Sequence, residues 1–262
     1  MFVKAKKSLG QNFLIDKNII LKIVSLLNIL NKDVMEVGPG TGNLTEYILK
    51  NKPNKLFLIE KDKSLYEELK KRFHNEAEVI NQDILKIDES KISKNKLIVF
   101  GNLPYNISTE IICNWVLKLE KDFWFTDLIL MFQKEVADRI VSKINTSNYG
   151  RLSILLNWKL NIKKIFDIGP NSFSPKPKID SSVLHFIPKN NYLPIENSRN
   201  LEMVTRVFFN QRRKMIKNPL KQLFKEYENV AQKLDLDLNL RPQNLSLEDY
   251  CNIVKEYENL IS

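Results

Sequence analysis

Apolar positions along this chain follow two alternating periods, and the alternation predicts a parallel α/β sheet. Short apolar runs predict five buried strands, at 33–37, 55–60, 77–81, 97–101 and 127–132. Patterns with helical spacing lie before and between them, at 16–30, from 43 onward, and at 64–73, 108–120 and 133–143. Strand–helix alternation of this kind is typical of a doubly wound, mostly parallel sheet with helices on its faces.

The start of one helix carries a specific signal. Ser64, with Glu67 three residues later, matches a capping box. We therefore expect a helix that begins at this serine and ends at Phe73.

The pattern changes in the last third of the chain. A helix is predicted at 150–160, and two late strands at 162–168 and 182–187 are joined by a proline-rich loop. From about Tyr192 onward the spacing is helical only. Prolines and asparagines near 188–195 mark the change, so we expect one domain over 1–190 and a small all-helical domain over 191–262.

Composition narrows the class of protein. The 262 residues carry a net charge of +10, which favours a polyanionic partner because affinity for nucleic acid comes mostly from phosphate neutralisation. No apolar run is long enough to span a bilayer, and the N-terminus lacks the apolar core of a secretory signal. Cys113 and Cys251 lack the spacing of a disulfide or metal site. We therefore expect a cytoplasmic protein without a metal.

The segment Gly38-Pro39-Gly40-Thr41-Gly42 follows the first predicted strand of the sheet, where glycines let a ligand approach the backbone. The dinucleotide fingerprint G-x-G-x-x-G requires glycine at position 43, which is asparagine. Pro39 also removes an amide that would bind a pyrophosphate. The loop therefore favours a ligand with a nucleoside but no phosphate, and S-adenosylmethionine (SAM) is such a ligand.

Later strand ends carry side chains that complete such a site. Glu60 is placed to accept hydrogen bonds from both ribose hydroxyls, and Asp83 from the adenine amine. Asn102 follows the next strand. Ligands of open α/β sheets bind outside the carboxyl ends of the strands, so we expect these side chains to share one cleft.

The tetrapeptide Asn102-Leu103-Pro104-Tyr105 suits the binding of a flat aromatic amine. An amide oxygen and a backbone carbonyl accept from the amine, while Tyr105 stacks on the base. The nitrogen becomes positive as it attacks a methyl donor, so these oxygens bind it better in the transition state. Such a transfer needs no general base, and we expect both histidines, His74 and His185, to lie outside the site.

The sequence resembles the bacterial small-subunit ribosomal RNA adenine N6,N6-dimethyltransferases of the KsgA type over essentially its whole length. Besides the glycine loop, the resemblance is carried by the segments 8–14, 101–108, 133–136, 149–153, 173–181 and 210–214. Glu110 and Ile179 stand where relatives often have proline and valine, and neither change affects the expected chemistry.

The resemblance implies a class I SAM-dependent methyltransferase fold, with a Rossmann-like sheet and a helical C-terminal domain that binds RNA. It implies dimethylation of N6 of two adjacent adenosines in the 3′-terminal hairpin of 16S rRNA, within a pre-30S particle during ribosome biogenesis. Matched residue by residue, the implied SAM contacts are Asn12, Leu14, Gly38, Glu60, Asp83 and Asn102. Asn102 and the Leu103 carbonyl would also hold the target amine, with Tyr105 and Phe173 stacking on the base. We expect a monomer that does not bind membranes.

The densest basic stretch begins after Asn210 and contains the only adjacent arginine pair of the chain. Its residues predicted to bind RNA are Arg212, Arg213, Lys214, Lys217 and Lys221. The alternative is a solvated helix face with one buried arginine that structures the domain junction. Near the N-terminus, Lys4, Lys6 and Lys7 are expected to cover the mouth of the active site.

Two other functions stay open at this point. A DNA adenine or protein glutamine methyltransferase also uses an Asn-x-Pro-Tyr pocket, but such enzymes usually carry a separate target-recognition domain. An RNA-binding ribosome-assembly factor, for which methylation is secondary, is the alternative from a different class. The intact set of Glu60, Asp83 and Asn102 argues against a purely binding role.

Overall fold

The computed structural model describes residues 10–119 and 122–261, so the expectation for Lys4, Lys6 and Lys7 lies outside the described residues. The described chain forms two compact units. One contains residues 10–112, 122–137 and 162–188, and the other contains 113–119, 138–161 and 189–261. In the described part of the chain, no helix combines the length and apolar composition that crossing a bilayer requires.

The described residues contain nine strands, which form two sheets. They are β1 (Phe13–Leu14), β2 (Asp33–Val37), β3 (Lys55–Glu60), β4 (Glu78–Asn81), β5 (Leu97–Gly101), β6 (Phe125–Gln133), β7 (Leu160–Ile168), β8 (Phe173–Ser174) and β9 (Ser181–Pro188). The large sheet has the order β4-β3-β2-β5-β6-β9-β7, and β1 pairs with β8. From β4 to β6 the neighbours are parallel, whereas β9 is antiparallel to β6. The predicted mostly parallel sheet is confirmed.

Chain order reverses between β2 and β5, which are neighbours in the sheet although β3 and β4 come between them in sequence. Such a reversal opens a crevice outside the carboxyl ends of the two strands, where α/β proteins bind ligands. The strands are buried on both faces, and all five residues of β2 and of β5 are buried. The apolar runs read from the sequence therefore mark the strands on either side of this crevice.

Ten α-helices lie within residues 10–119 and 122–261. They are α1 (Lys17–Val24), α2 (Asn43–Lys50), α3 (Lys63–Phe73), α4 (Ser108–Lys118), α5 (Lys134–Ile140), α6 (Arg151–Lys159), α7 (Ser198–Asn210), α8 (Lys217–Leu223), α9 (Tyr227–Lys233) and α10 (Leu247–Ile261). The first is shorter than the predicted 16–30, because Ser25 caps it. Leu30, which extended the apolar pattern, is 50% exposed.

The predicted capping box at Ser64 is wrong. Asp62 is the N-cap of α3, and its Oδ1 accepts from both the backbone N–H and the hydroxyl of Ser64, at 3.0 and 2.6 Å. An aspartate satisfies the exposed amides of a first turn as well as serine does. The helix consequently starts one residue earlier, at Lys63.

The second unit has its own apolar core. It combines Tyr149, Ile154 and Trp158, from around α6, with Phe208 of α7 and Tyr250 of α10. Besides the residues from 189 onward, this unit takes in two earlier segments of the chain, 113–119 and 138–161. The catalytic and RNA-binding roles of 1–190 and 191–262 stay predictions.

Candidate active site

The glycine loop between β2 and α2 lies in the crevice between β2 and β5. Gly38, Gly40 and Gly42 have φ values of +69°, +59° and +76°, a region that L side chains rarely adopt. A Cβ on Gly38 would lie 3.2 Å from the backbone oxygen of Asn102. The loop therefore needs glycine for its turn and for its close approach to the end of β5.

Glu60, the last residue of β3, lies beside this loop and is 7% exposed. Its Oε2 accepts from the Gly40 amide at 3.3 Å, and its Oε1 from the Asp62 amide at 2.8 Å. Burial raises the pKa of Glu60, and these backbone donors partly offset the shift. Each carboxylate oxygen keeps a second lone pair for a ligand hydroxyl.

Glu36 of β2 was not singled out in the sequence, yet it is the most perturbed carboxyl group near the loop. It is 2% exposed and accepts from Thr45 Oγ1 at 2.6 Å. Burial raises its pKa to about 8, and the nearby charge of Glu60 acts in the same direction. Its place between apolar residues of β2, two residues before Gly38, is the signal that identifies it.

Asn102 directly follows β5, and its side chain has a defined direction. Its Nδ2 donates to the backbone carbonyl of Asn12 at 2.8 Å. The NH₂ group of the amide is therefore engaged, so Oδ1 is the acceptor side. Among the described residues, none donates a hydrogen bond to this oxygen.

The carbonyl groups after Asn102 differ in their partners. The Pro104 oxygen accepts from the Ile107 amide at 3.1 Å, and the Tyr105 oxygen accepts from Ser108 Oγ at 3.3 Å. The Leu103 carbonyl has no donor among the described residues, while the Leu103 side chain is 1% exposed. The carbonyls of Pro104 and Tyr105 are thus satisfied within the turn, whereas the Leu103 carbonyl is not.

Tyr105 is half-buried, and its hydroxyl is hydrogen-bonded to Ser181 Oγ. Burial raises the pKa of the Tyr105 phenol, and the bond to Ser181 partly offsets this. Its partner Ser181 lies in a segment matched by the family resemblance, but sequence reasoning gave it no role.

One cavity brings most of the predicted residues together. It is lined by the segment 11–13, by Gly38 and Gly40, by Glu60 with Lys61 and Leu65, and by 102–107. Its empty space, the open mouth included, is about 760 Å³. Six of the predicted site residues therefore line a single cavity: Asn12, Gly38, Glu60, Asn102, Leu103 and Tyr105.

Three predicted residues do not line this cavity. Leu14 and Phe173 are buried and directly paired in the β1–β8 ladder, with 4% and 3% exposure. Asp83 caps the short 3₁₀ turn at 84–86 and lies 2.8 Å from Lys61 Nζ, and this hydrogen bond lowers its pKa. The roles of Leu14, Phe173 and Asp83 stay predictions. Stacking on a base would require an exposed face of the Phe173 ring, and in this structure the ring is buried.

The basic stretch of the second unit divides into two kinds of residue. Arg212 is half-buried, and its guanidinium donates to the Ser147 carbonyl and, at 3.2 Å, to Gln243. The other residues predicted to bind RNA are exposed: Arg213, Lys214, Lys217 and Lys221. The described bonds of Arg212 therefore lie within the second unit, whereas the alternative placed a buried arginine at the domain junction. The RNA-binding roles of all five residues stay predictions.

The histidines lie away from the cavity lining, as expected. His74 is exposed at the end of α3, and His185 of β9 lies 2.7 Å from Asp127 Oδ1. Within residues 10–119 and 122–261, no three His, Cys, Asp or Glu side chains are grouped as a metal site requires.

The chain is similar over nearly its whole length to known proteins of one family. The profile of the family described as ribosomal RNA adenine dimethylase matches residues 2–259. A protein of Pelagibacter ubique (strain HTCC1062) named ribosomal RNA small subunit methyltransferase A is 62% identical over 260 residues, 99% of each chain. A protein of the same name from Wolbachia sp. subsp. Drosophila simulans (strain wRi) is 41% identical, covering 98% of this chain and 94% of its own length.

Two solved structures share the fold. A dimethyladenosine transferase from Plasmodium falciparum aligns with a TM-score of 0.75 and 26% identity, over 94% of this chain and 98% of that one. The 23S rRNA methyltransferase ErmE aligns with a TM-score of 0.68 and 21% identity, over 94% and 100%. The predicted methyltransferase fold is confirmed.

Proposed function

The chain belongs to the ribosomal RNA adenine dimethylase family, and we propose that it transfers methyl groups from SAM to N6 of adenosines in small-subunit rRNA. We further propose that the product is a pair of adjacent N6,N6-dimethyladenosines in the 3′-terminal hairpin, made on a pre-30S particle by a monomeric enzyme. The names of the relatives at 62% and 41% identity support this substrate.

The observation that carries the proposal is a pair of adjacent acceptors at the end of β5. The Asn102 amide is oriented by its 2.8 Å bond to Asn12, so that Oδ1 is left to accept, and the Leu103 carbonyl has no described donor. An exocyclic adenine amine has two hydrogens and needs two such acceptors. Tyr105 lines the same cavity and offers a ring for stacking on the base.

The residues around the rest of the cavity fit SAM. The buried Glu60 carboxylate provides acceptors for ribose hydroxyls, and the glycine loop lets a ligand approach the backbone. Asn12 adds a side-chain amide to the lining of the cavity. When bound, SAM supplies a methyl group carried on a positively charged sulfur.

The chain assists the transfer mainly by orientation and electrostatics. The adenine nitrogen gains positive charge as it forms the new bond, so Asn102 Oδ1 and the Leu103 oxygen stabilise it more in the transition state than in the ground state. No side chain has to remove a proton beforehand, because the product ammonium is acidic and releases its proton to water. A target adenine within a duplex must first leave the helix, and stacking on Tyr105 offsets part of that cost.

The test is methyl transfer from labelled SAM to small ribosomal subunits that lack the hairpin methyl groups. We expect wild type to yield N6,N6-dimethyladenosine and Asn102→Ala to yield none. Asn18→Ala is the matched control, because Asn18 is an exposed asparagine of α1 in the same unit, and we expect it to be fully active.

The outcomes separate the alternatives. Transfer to DNA or protein but not to subunits would keep the methyltransferase and overturn the substrate. If Asn102→Ala retained methylation, the assigned amine site would be wrong. If Asn102→Ala lost methylation but bound and matured subunits like wild type, the chain would also act as an assembly factor.

A further inference from the structure

The Tyr105 ring lines the cavity, but its hydroxyl is occupied elsewhere. It is hydrogen-bonded to Ser181 Oγ, and Ser181 is fully buried. The hydroxyl of a largely buried tyrosine usually needs such a partner. In this chain the partner is 76 residues away in sequence.

Ser181 is held in place by the sheet. It is the first residue of β9, paired with Gln133 in the antiparallel β6–β9 ladder. The preceding carbonyl, of Asp180, accepts from the Lys134 amide at 2.9 Å. The Ser181 hydroxyl therefore projects from a stretch of backbone that is held by the pairing of Ser181 with Gln133 and by the hydrogen bond to Asp180.

Tyr105, in contrast, lies in a turn between β5 and α4. Among the described residues, its own carbonyl is bonded to the Ser108 side chain alone, at 3.3 Å. The hydroxyl oxygen lies on the long axis of the ring, so a bond to it fixes where the far end of the ring lies and limits rotation about χ1. The geometry thus places a rigid anchor at the far end of a ring that must stay in one position to stack.

We propose that Ser181 is a positioning residue for methyl transfer, which holds the Tyr105 ring in the orientation that stacks on the target adenine. Ser181 acts through the tyrosine hydroxyl and does not touch the substrate. This inference rests on the proposed function, because it assumes that Tyr105 binds a base.

The size of the effect follows from the strength of one hydrogen bond. Its loss should lower kcat/KM for the RNA by about two- to tenfold. Ser181→Ala and Tyr105→Phe remove the same bond from opposite ends, and both keep the aromatic ring. Each should therefore cost less than Tyr105→Ala, which removes the ring as well.

The experiment compares Ser181→Ala, Tyr105→Phe and the double variant, with Ser182→Ala as the matched control. Ser182 is the next residue of β9, is equally buried and donates its hydroxyl to Asp167 at 2.6 Å. Methyl transfer to small subunits, SAM affinity and melting temperature are measured for each. A second readout is the quenching of 2-aminopurine placed at the target adenosine of a hairpin RNA, which needs no turnover.

We expect the two single variants to lower kcat/KM equally and the double variant to be no worse than either. SAM affinity should be unchanged, and 2-aminopurine should be less quenched than with wild type. Ser182→Ala should transfer methyl groups and quench like wild type.

Three results would overturn the inference while wild type remains active. They are a fully active Tyr105→Phe, single effects that multiply in the double variant, or an equal loss in Ser182→Ala. If wild type transferred no methyl group, the proposed function would fail instead. Unchanged quenching in Ser181→Ala would then separately refute the positioning role.

Discussion

Substituting alanine for Gly40 tests whether the glycine loop needs a residue without a Cβ where it packs against Phe13 of β1. Gly40 has φ +59°, and a Cβ built on it would lie 2.6 Å from Phe13 Cδ1 and 2.9 Å from Phe13 Cε1. Real Cβ atoms essentially never come within 3.0 Å of another heavy atom. The Phe13 ring must therefore move, although its backbone is paired with Ser174.

The expected magnitude has two parts. A non-glycine residue in the left-handed region costs about 1–2 kcal/mol, which corresponds to a fall of about 2–8 °C in melting temperature for a unit of this size. Phe13 and Gly40 both line the cavity, so displacement of the ring also removes ligand contacts. A loss of about 1.4 kcal/mol there would weaken SAM binding about tenfold.

Gly169 provides the control. It has φ −71°, and an added Cβ would meet no heavy atom within 4 Å. Gly169→Ala should be neutral or slightly stabilising, because alanine restricts the unfolded chain. Thermal unfolding and calorimetric titration with SAM are compared for both variants and wild type. The reasoning would be refuted if Gly40→Ala melted and bound like wild type, or if Gly169→Ala lost as much.

Two further predictions concern charge. Burial raises the pKa of Glu36 from 4.5 to about 8. Between these two pH values the folded protein therefore holds a proton that the unfolded chain has released. The free energy of unfolding should fall as the pH rises through this window, by at most about 1.4 kcal/mol per pH unit. Denaturant unfolding of Glu36→Gln should show a shallower fall, and equal slopes would contradict the raised pKa. In the second unit, Arg213→Ala should weaken binding to hairpin RNA and reduce its salt dependence by about one unit of slope, whereas Arg212→Ala should mainly lower the melting temperature through loss of its bonds to Ser147 and Gln243. An Arg212→Ala variant with wild-type melting and impaired RNA binding would reverse this assignment.

The core of the site was predictable because it depends on strand ends. Gly38, Glu60 and Asn102 follow or end three apolar runs, and parallel strands bring their carboxyl ends to one edge of the sheet. This argument needs only the period of the apolar pattern and the direction of strand pairing. It does not bring Asp83 into the cavity lining, because Asp83 lies two residues beyond β4 and forms an ion pair with Lys61.

Contacts between distant segments were not predictable in the same way. The strand β1 has two residues and pairs with β8 across about 160 positions of sequence, too short a run to show a period. The contacts of Arg212 are a similar case, since the sequence of a basic stretch does not show which carbonyl an arginine will bind. The capping box was wrongly placed at Ser64 because aspartate and serine serve equally as helix caps, and Asp62 lies two residues earlier.

The tetrapeptide 102–105 owes its geometry to such distant contacts. Asn102 is oriented by the backbone of Asn12, 90 residues earlier, and Tyr105 is anchored by Ser181, 76 residues later. Under the proposed function, an amine held by one acceptor can rotate about that bond, whereas two acceptors and a ring stacked on the base define the direction of its lone pair. The motif then supplies the groups for methyl transfer, and Asn12, which precedes β1, and Ser181 of β9 hold those groups where they can act together.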